Sequence, residues 1–294
     1  MDSFYENPPS HNAVLKKLCS LKREFDFLRV SSIGRSVQGR KIHAVFLGNI
    51  CRPVLFAGAF HAQEWLTGLL LLRFCEEICG EYKKRGELYS SLCQRGVIIL
   101  PFVNPDGVEL VLTEGRSAGR YRDFVFALGG GDFSTWQANI RGVDLNHNFD
   151  AGHDTLIKME RAQGIYSPSP RQYGGLFPHS ECESRAIVNL ARRYSVGRVY
   201  AFHSQGEEIF YRYGKNTPTG SEAMAKILSE ACGYSLPTQT SLASHGGFKD
   251  WFIEKTGRPG FTIEIGRGKN PLPIDELNPI FARLYETMVL ALVI

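Results

Sequence analysis

The sequence predicts an α/β fold built as one domain spanning residues 1–294. Helical and extended patterns alternate from end to end, and no internal repeat, low-complexity tract or Ser/Pro-rich linker interrupts them. A length of 294 residues, with 43% hydrophobic and 22% charged side chains, is an ordinary globular balance. Such a chain buries a substantial core and is neither disordered nor fibrous. The 34 Lys and Arg against 30 Asp and Glu give +4, too weak an excess to point to nucleic acid or an anionic membrane.

Residues 11–28 (HNAVLKKLCSLKREFDFL) repeat their apolar side chains at helical intervals, which predicts a first helix. The Gly-punctuated stretch SSIGRSVQGR then leads into KIHAVFLG, a strand. Residues 53–60 (PVLFAGAF) form the short apolar run of a buried strand. His61-Ala-Gln-Glu64 follows at once, then a helix over 65–79 closed by Gly80. A helix over 88–94 and a strand over 96–103 come next, and Asn104-Pro-Asp-Gly is turn chemistry. Residues 113–142 read as a long surface loop, and 151–180, with Pro168, Pro170 and Pro178, as a second irregular stretch. The remainder reads as helix 181–194, strand 198–202 with His203 just after it, helices 220–232 and 246–255, strand 260–265 and a closing helix 278–293.

No apolar run approaches the ~18 residues of a membrane span. The chain as given does not open on a basic segment followed by an apolar one, so a cytoplasmic location is the expectation. Seven Cys at irregular spacing, with no Cys-x-x-Cys pair, predict free and mostly buried thiols in a reducing compartment. A cysteine zinc site is not expected.

Of the eight His, His61 and His203 stand where predicted strands end, the place where α/β sheets collect ligands. Glu64 follows His61 by three, so both can converge with a distant His on a His₂Glu zinc site that keeps one position open. The competing reading is a core His beside a solvated Glu at a helix start. Glu264 lies in the apolar strand FTIEI, where a carboxylate is costly without a task. It is the candidate to move a proton between water and leaving group. Asp144 is available to accept the second N–H of a metal-bound His. Arg141, three residues earlier, is a candidate cation for charge developing on a scissile oxygen.

These motifs, in this order, resemble the zinc carboxypeptidase family. The resemblance covers IGRSVQGRKIHAVFLG (33–48), AGAFHAQEWLTG (57–68), FVNPDGVEL (102–110), WQANIRGVDLNHNFD (136–150), AFHSQGEEIFY (201–211), GGFKDWF (246–252) and FTIEIG (261–266). It implies a mixed, mostly parallel sheet of about eight strands with helices on both faces. It also implies one Zn²⁺ held by His61, Glu64 and His203, with Glu264 as general base and acid and Asp144 orienting His61. Arg141 resembles the arginine that polarises the scissile carbonyl, although its spacing to Asp144 is shorter than in the pancreatic enzymes. Asn146 matches the Asn that helps hold the substrate's terminal carboxylate.

Two departures redirect the expectation of substrate. Digestive members carry Arg after that Asn, and here it is His147, an imidazole in place of a bidentate, permanently charged fork. The position of the family's mobile substrate-capping Tyr falls on Leu242. The phrases WQANIRGVDLNHNF and GGFKDWF look instead like the bacterial γ-D-glutamyl-L-diamino acid peptidases, which cut the γ-D-Glu to meso-diaminopimelate bond of peptidoglycan stem peptides. By the Asp-Trp register, Lys249 falls at the bottom of the specificity pocket, where a cation suits the far carboxylate of diaminopimelate. The expected partner is therefore a peptidoglycan-derived peptide, with no nucleic acid and no membrane; nothing in the sequence speaks to oligomeric state. The rivals are a metallocarboxypeptidase anchored by His147, a zinc-dependent acylase and a non-catalytic muropeptide-binding module. The intact set of His61, Glu64, His203 and Glu264 argues against the last. His153, His179 and His245 are expected to have surface roles.

Overall fold

The computed structural model describes residues 3–237 and 245–294, so Leu242 lies outside the described residues. Seven strands form one mixed sheet: β1 (Arg29–Arg35), β2 (Lys41–Leu47), β3 (Val54–Ala57), β4 (Val97–Leu100), β5 (Arg198–Ser204), β6 (Glu208–Phe210) and β7 (Gly260–Ile265), in the order β1-β2-β4-β3-β5-β7-β6. About eight were expected, and seven lie among the described residues. The centre, β4-β3-β5-β7, is parallel. β1 and β2 join one edge antiparallel, and β6 closes the other.

Among the described residues, ten α-helices accompany the sheet: α1 (His11–Glu24), α2 (Trp65–Lys84), α3 (Leu88–Gln94), α4 (Pro105–Leu112), α5 (Arg122–Gly129), α6 (His153–Ala162), α7 (Cys182–Arg193), α8 (Ser221–Cys232), α9 (Phe248–Thr256) and α10 (Leu277–Val293). The central strands are buried throughout, because both faces are covered. Their side chains alternate between two cores. Val54 and Phe56, Val97 and Ile99, and Tyr200 and Phe202 join the core under α1, α2, α8 and α10. Leu55 and Ala57, Ile98 and Leu100, and Val199 and Ala201 join the core under α7 and α9.

Several sequence expectations need correction. The second helix does not stop at Gly80. It runs to Lys84 and ends through Arg85, whose φ of 54° is left-handed, followed by Gly86. A Cβ added at Gly80 would meet nothing within 4 Å, so this glycine sits on an open face where the helix tolerates it. Asn104-Pro-Asp-Gly is a helix start rather than a free turn: the Asn104 side chain accepts from Gly107 N–H at 3.0 Å, and Pro105 takes the first helical position. The stretch 113–142 is not a bare loop. It contains α5, and Val125, Phe133, Trp136, Ala138 and Ile140 close a third apolar cluster with Leu110 of α4. The irregular stretch 151–180 contains α6. His203 belongs to β5, which extends to Ser204. All seven Cys are free, but only Cys75, Cys79 and Cys232 are buried, while Cys19, Cys51 and Cys93 are exposed. Among the described residues, no helix is long and apolar enough to cross a membrane.

Candidate metal centre

The carboxyl ends of β3, β5 and β7 bring the expected residues together. The chain leaves β3, reaches His61 in extended conformation, and makes a short 3-10 turn over Ala62–Glu64 that runs straight into α2. Backbone pairing fixes this turn, with Ala62 N–H on Gln137 O at 3.0 Å and Gln63 N–H on Trp136 O at 3.1 Å. The Thr67 hydroxyl donates to Glu64 O at 2.7 Å and accepts from Ala59 N–H at 2.8 Å. Alternation along β5 places His203 on the α7/α9 face, because Tyr200 and Phe202 point to the other. Glu264 is in register with His203 on the neighbouring parallel strand and takes the same face.

His61, Glu64 and His203 each offer one ligand atom, and these atoms lie within 4.8 Å of one another. Both imidazoles aim Nδ1 at the same carboxylate: His61 at Glu64 Oε1, 2.7 Å, and His203 at Glu64 Oε2, 3.0 Å. His61 Nε2 is 3.1 Å from Asp144 Oδ1. An N–H donated there leaves the Nδ1 lone pair for a metal. Asp144 is itself fixed, accepting from Asn146 N–H at 3.0 Å and Gln172 N–H at 3.1 Å. Phe60 stacks on the His203 ring with centroids 5.2 Å apart, which supplies an apolar wall. Two imidazole nitrogens and a carboxylate, converging at strand ends with a carboxylate behind one imidazole, fit a zinc ion by donor set and by support.

The carboxylates of the site are driven apart electrostatically. Burial works against the Glu64 carboxylate, but His61 and His203 outweigh it and lower its pKa to about 2. Burial likewise opposes ionisation of Asp144, and His61 and His147 overcome it and hold its pKa below the usual range. For Glu264 burial and the nearby Glu64 act together, so its pKa lies well above that of an ordinary glutamate. Burial disfavours a charged His61, yet Glu64 and Asp144 hold its pKa well above the ordinary imidazole value.

The other candidates divide. Asn146 Oδ1 accepts from Phe248 N–H at 3.0 Å, which ties it to the start of α9. Lys249 follows on that helix. It is buried, donates to Arg212 O at 2.9 Å, pairs with Asp250, and lies 5.8 Å from the centre of the Tyr213 ring. A Cβ added at Gly247 would lie 2.5 Å from Asp250 Oδ2 and 3.6 Å from Asn146 Oδ1, so Asn146 and the Lys249–Asp250 pair flank one glycine. His147 is buried, with Nδ1 2.8 Å from Gln172 O and 3.4 Å from Glu160 Oε1. Arg141 donates through Nη2 to the fully buried Glu181 at 2.6 Å, and no contact joins it to His61, Glu64, His203 or Glu264 among the described residues.

Three residues went unnoticed in the sequence. Glu181 looks like a solvated charge before a helix, yet it accepts from Arg141, Asn139 and Ser180. Tyr213 carries no motif, yet its hydroxyl meets His245 Nδ1 at 3.3 Å. Glu208 sits opposite Glu264 on β6. His153, expected at the surface, is buried at the start of α6.

A family model described as zinc carboxypeptidase matches residues 14–287. The chain is 34% identical over 278 residues to gamma-D-glutamyl-L-diamino acid endopeptidase 1 of Lysinibacillus sphaericus, covering 92% of this chain and 69% of that protein. It is 34% identical over 294 residues to YqgT of Bacillus subtilis (strain 168), covering 95% of this chain and 76% of the other. Among solved structures, bovine thrombin-activatable fibrinolysis inhibitor in complex with tick carboxypeptidase inhibitor matches in fold, with a TM-score of 0.76, 21% identity, and coverage of 99% of this chain and 98% of that one.

Proposed function

The chain belongs to the zinc carboxypeptidase family, and within it we propose that this enzyme hydrolyses the amide between γ-D-glutamate and meso-diaminopimelate in peptidoglycan stem peptides. The whole chain would act as one catalytic domain. The observation that carries the reading is the likeness to the Lysinibacillus endopeptidase over 92% of this chain. Two features of the site support it. His147, which a carboxypeptidase would need as its carboxylate anchor, is buried and engaged by Gln172 and Glu160. Lys249 is a buried ammonium on α9, the helix whose first N–H Asn146 accepts, and two of its three donors are in use, which leaves one for the far carboxylate.

In this reading His61, Glu64 and His203 hold zinc, which when bound supplies a Lewis-acidic centre for carbonyl polarisation and water activation. Asp144 fixes the tautomer and orientation of His61. Glu264, with its raised pKa, takes a proton from the attacking water and hands it to the leaving amine of diaminopimelate. The opposite pressures on Glu64 and Glu264 separate a permanently ionised ligand from a group suited to exchanging a proton. Asn146 and Lys249 hold the amine half of the substrate. Seven free thiols, three of them exposed, fit a reducing compartment and hence soluble muropeptide fragments met in the cytoplasm.

A stem peptide with its C-terminus blocked as an amide separates this reaction from its rival. The endopeptidase cuts the blocked peptide at γ-D-glutamate, whereas a carboxypeptidase refuses it. Lys249→Ala is expected to raise KM for diaminopimelate stem peptides about tenfold or more over its effect on lysine ones, a buried charge contact being lost. Equal losses on both would remove Lys249 as the reader.

A further inference from the structure

A cavity beside the segment that carries Asp144 has no part in the reaction as described. It is a groove of about 710 Å³ walled by Tyr121, Phe124, Val143, Tyr173, Leu176 and Phe177, with Arg141 and Glu181 on its lining. Leu176 is 85% exposed and Phe177 57%, so its apolar rim stands in water. Exposed apolar surface around a single cation is the pattern of a ligand site rather than of a packed core.

Arg141 is built for contact with something outside the protein. Its side chain is 46% exposed, and Glu181 is the only hydrogen-bond partner of its guanidinium among the described residues. Glu181 is fully buried and fixed by Asn139 Nδ2 at 2.8 Å and Ser180 Oγ at 2.9 Å. One face of the guanidinium is therefore held rigid, and the remaining N–H donors stay available for an anion.

The groove shares a wall with the metal centre. Val143 precedes Asp144, and Tyr173 O accepts Asp144 N–H at 2.7 Å. Along the segment 141–146, the groove lies on one side of the His61-facing Asp144, and Asn146, tied to α9, lies on the other. If Asn146 and Lys249 hold the amine half of a substrate, the groove falls to the acyl half. A glutamyl residue linked through its γ-carboxyl keeps a free α-carboxylate, four carbon–carbon bonds from the scissile carbonyl or about 5 Å. An α-linked residue has an anion at that distance only where its own side chain ends in a carboxylate, as in glutamate.

We propose that this groove receives the acyl half of the substrate and that Arg141 binds the free α-carboxylate of its γ-linked glutamyl residue. The proposal rests on the γ-D-glutamyl reading above. It makes Arg141 a specificity residue and replaces the carbonyl-polarising role that the family resemblance implied for it. In this placement the apolar rim is left to the alanyl residue that precedes the glutamate.

The test uses the zinc-loaded full chain and two probes that differ in one group: L-Ala-D-Glu and L-Ala-D-isoglutamine, whose α-carboxylate is an amide. Calorimetry is expected to show the acid binding about tenfold or more tighter than the amide. Arg141→Ala should abolish that difference, and Arg141→Lys, which keeps the charge, should retain part of it. Equal binding of the two probes by the wild type, or discrimination that survives in Arg141→Ala, would overturn the proposal. Binding needs no turnover, so discrimination without release of diaminopimelate contradicts the proposed reaction and leaves the subsite standing. Matched tripeptides give the second readout. Arg141→Ala should raise KM for the acid form about tenfold while KM for the amidated form stays within about threefold. A fall in kcat that is equal on both forms, with KM unmoved, would return Arg141 to the scissile carbonyl.

Discussion

Glu64 and Asp144 are buried and Glu264 is half-buried, and their surroundings push the three carboxylates in different directions. Imidazoles outweigh burial at Glu64 and Asp144, whereas at Glu264 burial and the negative charge of Glu64 outweigh the opposing pull of His61. Removing the charge of Asp144 leaves His61 Nε2 without its anionic acceptor, so Asp144→Asn is expected to weaken zinc binding about 10- to 100-fold, read by competition with a chelator. Another buried acid, Glu183, lies away from this chemistry. Burial pushes its pKa up to about 7, and Cys182 and the backbone of Val37 are its neighbours. Because folding raises this pKa, the stability it confers is fully present below the unfolded value and is lost as pH rises through about 7. Glu183→Gln should therefore match wild type near pH 4 and exceed it by roughly 2–3 kcal/mol at pH 8, in urea melts at the two pH values. The candidate ligands and Glu264 were legible because His-x-x-Glu, common by itself, coincides with a second strand-end His and with a lone Glu in an apolar strand. Glu181 and Glu183 were not, since an acid at a helix start is ordinarily solvated and only tertiary packing buries it.

The site depends on one supersecondary unit, the passage from β3 through the His61 turn into α2. Thr67 locks it by bonding both Ala59 N–H and Glu64 O, one turn into the helix. Ala59 has φ 49°, and its N–H is buried. Thr67→Val keeps the shape of the side chain but leaves that donor unpaired, at about 1–3 kcal/mol in denaturant unfolding. Zinc affinity should fall with it, because the turn carrying His61 and Glu64 loosens. The existence of this unit could be read from PVLFAGAF followed by a long apolar helix. Its limits could not. Gly80 looked like a stop, yet its open surroundings let α2 continue for another turn. Asn-Pro-Asp-Gly has turn chemistry, and the same residues serve equally as a helix cap with proline at the first position. The polar, Gly-rich stretch around 129–131 hid α5 and the burial of Trp136, because a third apolar cluster depends on distant partners in α4.

At the scale of the molecule, a parallel centre of four strands aims three carboxyl ends at one place, and antiparallel edges close the sheet on both sides. The alternation of apolar runs with amphipathic helices made the α/β class legible, and the helices on both faces followed from the family resemblance. Strand order was not, since pairing is set by contacts between distant segments, and the three-residue β6 is too short to leave a pattern. The sheet explains why His61, His203 and Glu264, far apart in the chain, meet beyond the carboxyl ends of its central strands, and why segment 141–146 can carry a groove on one side and the α9 wall on the other. All of this converges on one claim: a zinc centre with Glu264 as its proton carrier, cutting a γ-D-glutamyl amide. The direct measurement incubates the zinc-loaded chain with L-Ala-γ-D-Glu-meso-diaminopimelate and follows products by mass spectrometry, beside Glu264→Gln with matched zinc content. The account predicts free diaminopimelate from the wild type and a rate lower by about 10²–10⁴-fold in the variant. Intact tripeptide after prolonged incubation with wild type, with C-terminal residues trimmed from ordinary α-peptides instead, would contradict it.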